Sequence, residues 1–189
     1  MDALSHNLEA FCSPFYHPLA QGVALEGMRL VKEWLPLACR RGDNVTARAH
    51  MMAASTMGAS AFQKGLGAMH AMSHPCGAVL NTHHGLTNAV VMPYVLVFNR
   101  SAIDERMTAL ARYLNLPQPS FQAVLDWVLA LRKEIGIPAD LAALGVTDDH
   151  IGQLAEMAAV DPSAGSNPIP LTVENLTALF ENAVHGRIG

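Results

Sequence analysis

Four histidines lie close together in residues 65–85, a segment that contains no Asp, Glu, Lys or Arg. They are His70, His74, His83 and His84. A buried neutral imidazole needs hydrogen-bond partners for both ring nitrogens. A divalent metal is a strong partner, because imidazole is a common ligand for iron, zinc and nickel. A single histidine here would be an ordinary core residue, but four in one segment favour a metal site.

Spacing separates these histidines into groups. His70 and His74 are four residues apart, so they share one face of a helix. His83 and His84 are adjacent, so on a helix they point about 100° apart and only one faces a common site. The Pro-Cys-Gly sequence at residues 75–77 is predicted to loosen the first helix and turn the chain. His84 together with His70 or His74 would then chelate one ion.

Further ligands are predicted at the opposite end of the chain. Asp2 and His6 are also four residues apart, again on one helical face. One carboxylate and three imidazoles would suit Fe(II) or Zn(II) and would leave coordination positions open. The alternative for Asp2 is an ordinary acidic residue stabilising a helix N-terminus.

Two better-known motifs are excluded. Residues 70–77 resemble part of the HExxH metalloprotease pattern, but Ala71 replaces the glutamate that acts as general base. Leu80 occupies the position of the third histidine. The Gly-Leu-Gly sequence at residues 65–67 lacks the third glycine of a dinucleotide-binding loop, and no strand pattern precedes it.

The elements that would position these side chains are helical. Apolar residues recur at steps of three and four in residues 19–35, 103–114, 121–135 and 176–184, and only residues 94–98 suggest a strand. We therefore predict one all-α domain over residues 1–189, with about seven to nine helices. Helix N-caps are predicted at Asn44, at Thr147 or Asp148, and at Thr172, and a stop is predicted at Gly136.

Charge is distributed unevenly along these helices. Residues 49–99 contain one charged side chain, Lys64, and are predicted to be buried on nearly all sides. From Arg100 onwards the helices are amphipathic and are predicted to form the outer layer. Residues 161–170, with three prolines, are predicted to form a loop.

Composition narrows the range of partners and locations. The net charge of −4 and the lack of a basic stripe argue against nucleic acid. The apolar run at residues 90–98 is too short to span a membrane and contains a proline. Cys12, Cys39 and Cys76 form no CxxC pair, which is typical of free thiols in a reducing cytoplasm.

The two histidine-bearing segments carry a resemblance to a known family. DALSHNLEAF, residues 2–11, resembles the metal-binding helix of the iron-containing (group III) alcohol dehydrogenases. KGLGAMHAMSHPCGAVLNTHHGLTNAVVMPYVLVFN, residues 64–99, resembles that family's second signature. This signature is a His-x3-His-P-x-G run that closes on HHG-x2-N-A and MP-x-V-x3-N. The likeness continues to the Asn-Pro pair at residues 167–168 and implies the helical, dehydroquinate-synthase-like C-terminal domain.

The resemblance also implies roles for individual residues. It makes Asp2, His6, His70 and His84 the metal ligands. His74 becomes an additional active-site histidine near substrate and nicotinamide, where it would relay a proton to solvent. The implied activity is NAD(P)-linked oxidation of alcohols or reduction of aldehydes, with the metal as a Lewis acid. The implied metal is Fe(II), with zinc or nickel as alternatives, and His83 is left as a structural residue.

The chain departs from that family in one large respect. Nothing here matches the family's N-terminal α/β nucleotide-binding domain or its GGGS-type loop, so we predict a fragment or a truncated product. The isolated chain is then expected to be inactive, to leave its metal site open to water, and to self-associate through uncovered apolar surface. The alternatives are a stand-alone helical metal-binding module and a polyol dehydrogenase or dehydroquinate-synthase-like lyase. The HHGLTNAVVMP segment favours the alcohol dehydrogenase branch.

Overall fold

A computed structural model describes residues 1–188, and over that range it contains helices, turns and loops but no β-strand. The α-helices of this range are α1 (Asp2–Cys12), α2 (Pro18–Arg40), α3 (Val45–Ala61), α4 (Ala68–Leu80), α5 (His84–Tyr113), α6 (Phe121–Glu134), α7 (Asp148–Ala159) and α8 (Val173–Val184). Short 3-10 helices occur at Phe62–Lys64, Ala142–Leu144 and Pro162–Ser166. The predicted all-α fold is confirmed.

Local signals in the sequence account for several helix ends. The side chain of Asn44 accepts a hydrogen bond from the backbone N–H of Ala47 at 2.9 Å and begins α3. Thr147 and Thr172 precede α7 and α8, each in a capping box with the residue three positions later. Gly136 follows the end of α6 with a φ of +76°, a conformation that favours glycine.

Two prolines behave differently from expectation. Helix α4 continues through Pro75, and α5 continues through Pro93. The predicted loosening at residues 75–77 and the candidate strand at residues 94–98 are therefore wrong. An interior proline costs a helix about 3 kcal/mol, but both prolines are buried and the packing around them offsets that cost. The chain turns instead at Asn81, which is left-handed with a φ of +54°.

The charge-poor region is buried only in part. Residues 87–96, in the first half of α5, are all buried, as predicted. Helix α3 exposes much of its surface, including Met52 at 70%. Within residues 49–61, the exposed side chains of α3 are Ala, Ser, Thr and Met, which need not be buried, so the absence of charge did not predict burial there. Helices α6 to α8 each bury one stripe, as predicted for an outer layer.

Helix α1 lies at the centre of the bundle and is held at its C-terminal end by two cations. It packs against α2, α3 and α5. The Nζ of Lys64 donates to the carbonyl oxygens of Ala10 at 2.9 Å and Phe11 at 3.2 Å. Arg106 donates to the carbonyl oxygens of Phe11 and Cys12. Burial lowers the pKa of Lys64 to about 8. These contacts satisfy the free carbonyls of α1 and fix the helix that carries Asp2 and His6.

Two further sequence predictions concern thiols and membranes. Cys12 and Cys76 are buried, Cys39 is exposed, and all three are free. Over residues 1–188, no helix combines the length and apolar character needed to cross a membrane.

Candidate metal centre

Three helices bring all the predicted ligands together. Asp2 and His6 come from α1, His70 from α4, and His84 is the first residue of α5. Each contributes one ligand atom, and these atoms lie within 4.8 Å of one another. The ring of His6 stacks on that of His70 with centroids 4.8 Å apart. We call these residues the four-residue cluster.

Glycines allow the helices to approach this closely. A Cβ atom on Gly85 would lie 2.9 Å from the Cβ of Asp2. A Cβ atom on Gly58 would lie 2.8 Å from the Cβ of His6. Such contacts are shorter than packed carbon atoms tolerate, so a larger residue at either position would displace α1. The glycine that ends the His-His-Gly motif is explained by this approach.

Glu9 orients the ring of His70 through the nitrogen that does not face the cluster. Its side chain is only 4% exposed, and its Oε2 lies 2.5 Å from the Nδ1 of His70. Its Oε1 accepts the backbone N–H of Met69 at 2.6 Å. An ionised carboxylate only accepts, so Nδ1 of His70 carries the proton and Nε2 presents a lone pair to the cluster. Carboxylate–histidine pairs of this kind commonly support metal ligands.

Sequence reasoning missed the role of Glu9. The available signal was its position three residues after His6, which puts both on one face of α1. Its pairing with His70 depends on the packing of α1 against α4, which no local pattern specifies.

The side chain of Asn88 contacts three residues of the four-residue cluster. Its Nδ2 lies 2.9 Å from Oδ1 of Asp2, 3.1 Å from Nε2 of His84 and 3.3 Å from Nε2 of His70. Asn88 is one helical turn after His84, and its place in the site was not predicted. On the opposite side of the His84 ring, the hydroxyl of Ser73 lies 3.1 Å from Nδ1.

The charges of the cluster suit a divalent cation. Burial lowers the pKa of His6 and of His84, which keeps both rings neutral and their lone pairs available. Burial alone would raise the pKa of Asp2, but the hydrogen bond from Asn88 and the positive charge that the neighbouring imidazoles carry when protonated outweigh it and lower the pKa overall. The carboxylate of Asp2 is thus stabilised in its ionised form.

His74 lies at the rim and outside the four-residue cluster. Its ring stacks on that of His84 with centroids 5.4 Å apart and an interplanar angle of 12°. Its side chain is 43% exposed, and its Nδ1 lies 2.8 Å from Oδ2 of Asp161. His83 is also outside the cluster, and its ring accepts the backbone N–H of Leu86 at the start of α5.

The residues present fit a metal. Among residues 1–188, the buried side-chain N and O atoms without a hydrogen-bond partner are Nδ1 of His6, Oδ1 of Asn7 and Oδ1 of Asn88. Two of these belong to the site. Each such atom costs about 1–3 kcal/mol, so their concentration here is typical of a ligand-binding site. One carboxylate and three imidazoles also form a donor set that iron and zinc accept.

The site has a buried floor and an open face. The side chain of His70 is 2% exposed, whereas those of Asp2 and His84 are 38% and 43% exposed. Solvent therefore reaches the cluster from the side of the last two residues. A substrate or a second protein surface would approach from the same side.

Fold and cluster together define a helical domain with a candidate metal centre. Residues 1–184 match the family described as the Fe-containing alcohol dehydrogenase family, C-terminal. The chain belongs to that family, as its two signatures predicted.

Individual relatives agree with this assignment. The chain is 38% identical to a 4-hydroxybutyrate dehydrogenase of Cupriavidus necator and 37% identical to an NAD-dependent methanol dehydrogenase of Bacillus methanolicus. Each match covers 97% of this chain and 50% of the relative. The crystal structure of a 1,3-propanediol oxidoreductase superposes with a TM-score of 0.92 at 33% identity, over 97% of this chain and 50% of that one. The chain thus spans about half the length of the curated relatives it matches.

Proposed function

We propose that residues 1–189 form one metal-carrying domain of an NAD(P)-linked alcohol dehydrogenase. The proposed ligands are Asp2, His6, His70 and His84. The observation that carries the proposal is the convergence of one ligand atom from each residue to within 4.8 Å. The proposed metal is Fe(II), in keeping with the family description, with zinc or nickel as alternatives for the same donor set.

The side chains around the cluster support this chemistry. When bound, a divalent metal supplies Lewis-acid polarisation of the alcohol oxygen, and the nicotinamide carries the hydride. Glu9 holds His70 with its Nε2 towards the cluster. His74 lies beside the open face, where its Nε2 would take the hydroxyl proton and pass it to water. We propose that a separate nucleotide-binding domain supplies the NAD(P) site.

We further propose that the substrate is a small alcohol or aldehyde. The names of the relatives, which include methanol and 4-hydroxybutyrate dehydrogenases, support this class. The exposed side chains of Phe15, Tyr16 and Leu19 support self-association through apolar surface. The three free cysteines support a cytoplasmic location. No nucleic-acid or membrane partner is proposed.

A second candidate is a stand-alone metal-binding module without dehydrogenase activity. The observation that favours it is that every candidate ligand comes from this one chain. The two functions differ in nucleotide chemistry, because only the first requires NAD(P).

The ligand assignment is tested by metal content. Wild-type protein and the Asp2→Ala and His74→Ala variants are dialysed against the same Fe(II) or Zn(II) buffer and subjected to elemental analysis. We expect Asp2→Ala to lose affinity by more than about 100-fold, since even residues that only support a ligand contribute 10- to 100-fold. His74→Ala should retain its metal. Equal metal in wild type and Asp2→Ala would contradict the four-ligand proposal, and loss in His74→Ala would make that residue a ligand.

The dehydrogenase function is tested by formation of reduced nicotinamide. The Fe(II)-loaded protein, alone and mixed with the other half of the 1,3-propanediol oxidoreductase that it matches, is offered short primary alcohols and diols with NAD+ or NADP+, and nucleotide binding is measured in parallel by calorimetry. Alcohol-dependent reduction in the mixture that disappears in Asp2→Ala would support the first function. Metal binding with no reduction in the mixture would support the stand-alone module.

A further inference from the structure

The rim histidine is tied to a distant part of the chain. Oδ2 of Asp161, just beyond α7, lies 2.8 Å from Nδ1 of His74 on α4. The side chain of Asp161 is only 10% exposed. Its other oxygen, Oδ1, accepts the backbone N–H of Ser163 at 2.8 Å and caps the short helix at Pro162–Ser166. The carboxylate is therefore fixed at both oxygens.

This contact selects one tautomer of His74. An ionised carboxylate is an acceptor only, so the neutral ring must place its proton on Nδ1. Nε2 then carries the lone pair. Within residues 1–188, His74 Nε2 forms no hydrogen bond, and the ring lies parallel to that of His84 at the rim of the cluster. A free lone pair at this place is what proton acceptance from an alcohol requires.

We propose that Asp161 is a positioning residue that holds His74 in the Nδ1–H tautomer with Nε2 ready to accept a proton. The inference rests on the proton-accepting role proposed for His74. The inference extends the proposed function to a new residue, because Asp161 lies outside both sequence signatures and was predicted only as part of a loop. In Ser-His-Asp triads, too, an aspartate fixes the tautomer and orientation of the histidine that accepts the proton.

Asp161→Asn separates this role from a purely structural one. The amide keeps an oxygen for the N–H of Ser163, so the cap survives. It replaces the oxygen facing His74 with an N–H donor, so Nδ1 must become the acceptor and the ring proton must move to Nε2. A contact that only ties the loop to α4 would change stability without reversing the tautomer.

The experiment is a long-range proton–nitrogen NMR spectrum of the 15N-labelled 189-residue protein in alkaline buffer, where imidazole is neutral. Spectra are recorded without metal and with Zn²⁺, which is diamagnetic. We expect the Nδ1–H tautomer in wild type and the Nε2–H tautomer in Asp161→Asn. The ratio should change by about tenfold or more, as for the loss of a charge-assisted hydrogen bond. A wild-type ring that is mainly Nε2–H, or the same tautomer in both proteins, would overturn the proposal.

Asp148→Asn is the matched control. Asp148 lies at the other end of α7, is exposed, and contacts Nε2 of His185 at 2.9 Å. Its replacement removes the same charge, so His74 should keep the wild-type tautomer, and an equal change there would also overturn the proposal. If Asp161→Asn does not fold, the tautomer of His74 in the wild-type protein alone tests the proposal. Because the readout needs neither metal nor nucleotide, tautomer reversal in a chain that binds no metal would leave the positioning of His74 by Asp161 standing and would remove the proposed function.

Discussion

Replacing Glu9 with glutamine is expected to weaken metal binding by about 10- to 100-fold, the effect typical of residues that support a ligating histidine. The amide oxygen can still accept the N–H of Met69, but its nitrogen then faces Nδ1 of His70 as a donor. The proton of His70 must move to Nε2, which is the atom turned towards the cluster. The measurement is the dissociation constant for Zn²⁺ by calorimetry, or for Co²⁺ by its visible absorption.

Two further variants make this result specific. Glu33→Gln removes the same charge from an exposed carboxylate paired with Arg29, and should leave the metal affinity unchanged. Glu9→Ala removes the acceptor for two buried N–H groups, those of Met69 and His70. It should therefore lower the free energy of unfolding by about 2–6 kcal/mol in addition to weakening metal binding. Wild-type affinity in Glu9→Gln would show that the carboxylate does not set the tautomer of His70.

The metal-site residues were predictable to the extent that spacing within one helix determines a common face. Asp2 with His6, and His70 with His74, could be paired in this way. Spacing left open whether His70 or His74 joins His84, and only the family resemblance chose between them. The structure brings His70 into the cluster because α4 presents it to Glu9, while His74, one turn later, reaches the rim.

The residues that sequence reasoning missed have partners in other helices. Glu9, Asn88 and Asp161 each contact a histidine that is distant in sequence or lies across a helix boundary, and such contacts follow from the packing of helices. Two of the interior prolines show the same limit in the fold. Proline predicts the end of a helix locally, but burial of Pro75 and Pro93 within the core outweighs that preference.

Replacing Gly85 with alanine is expected to weaken metal binding by about 10- to 100-fold, comparable to the loss of a residue that orients a ligand. The new Cβ would lie 2.9 Å from Cβ and 3.3 Å from Cγ of Asp2. Asp2 is the first residue of α1 and its side chain is 38% exposed, so it is the group that yields. The carboxylate then moves away from His84 and out of the cluster. The measurement is again the dissociation constant for Zn²⁺.

Stability without metal is measured alongside metal affinity. Gly85 is the second residue of α5, and the helix preference of alanine, up to about 1 kcal/mol, is opposed by the close contact of the new Cβ with Asp2. The melting temperature without metal should therefore stay the same or fall, while the stabilisation by added Zn²⁺ falls as well. Gly22→Ala is the control, because a Cβ at Gly22 on α2 meets no atom within 4 Å. It should gain stability and keep its metal affinity. Wild-type metal affinity in Gly85→Ala would mean that Asp2 is not held in the cluster by the approach of α5, and its assignment as a ligand would lose its structural basis.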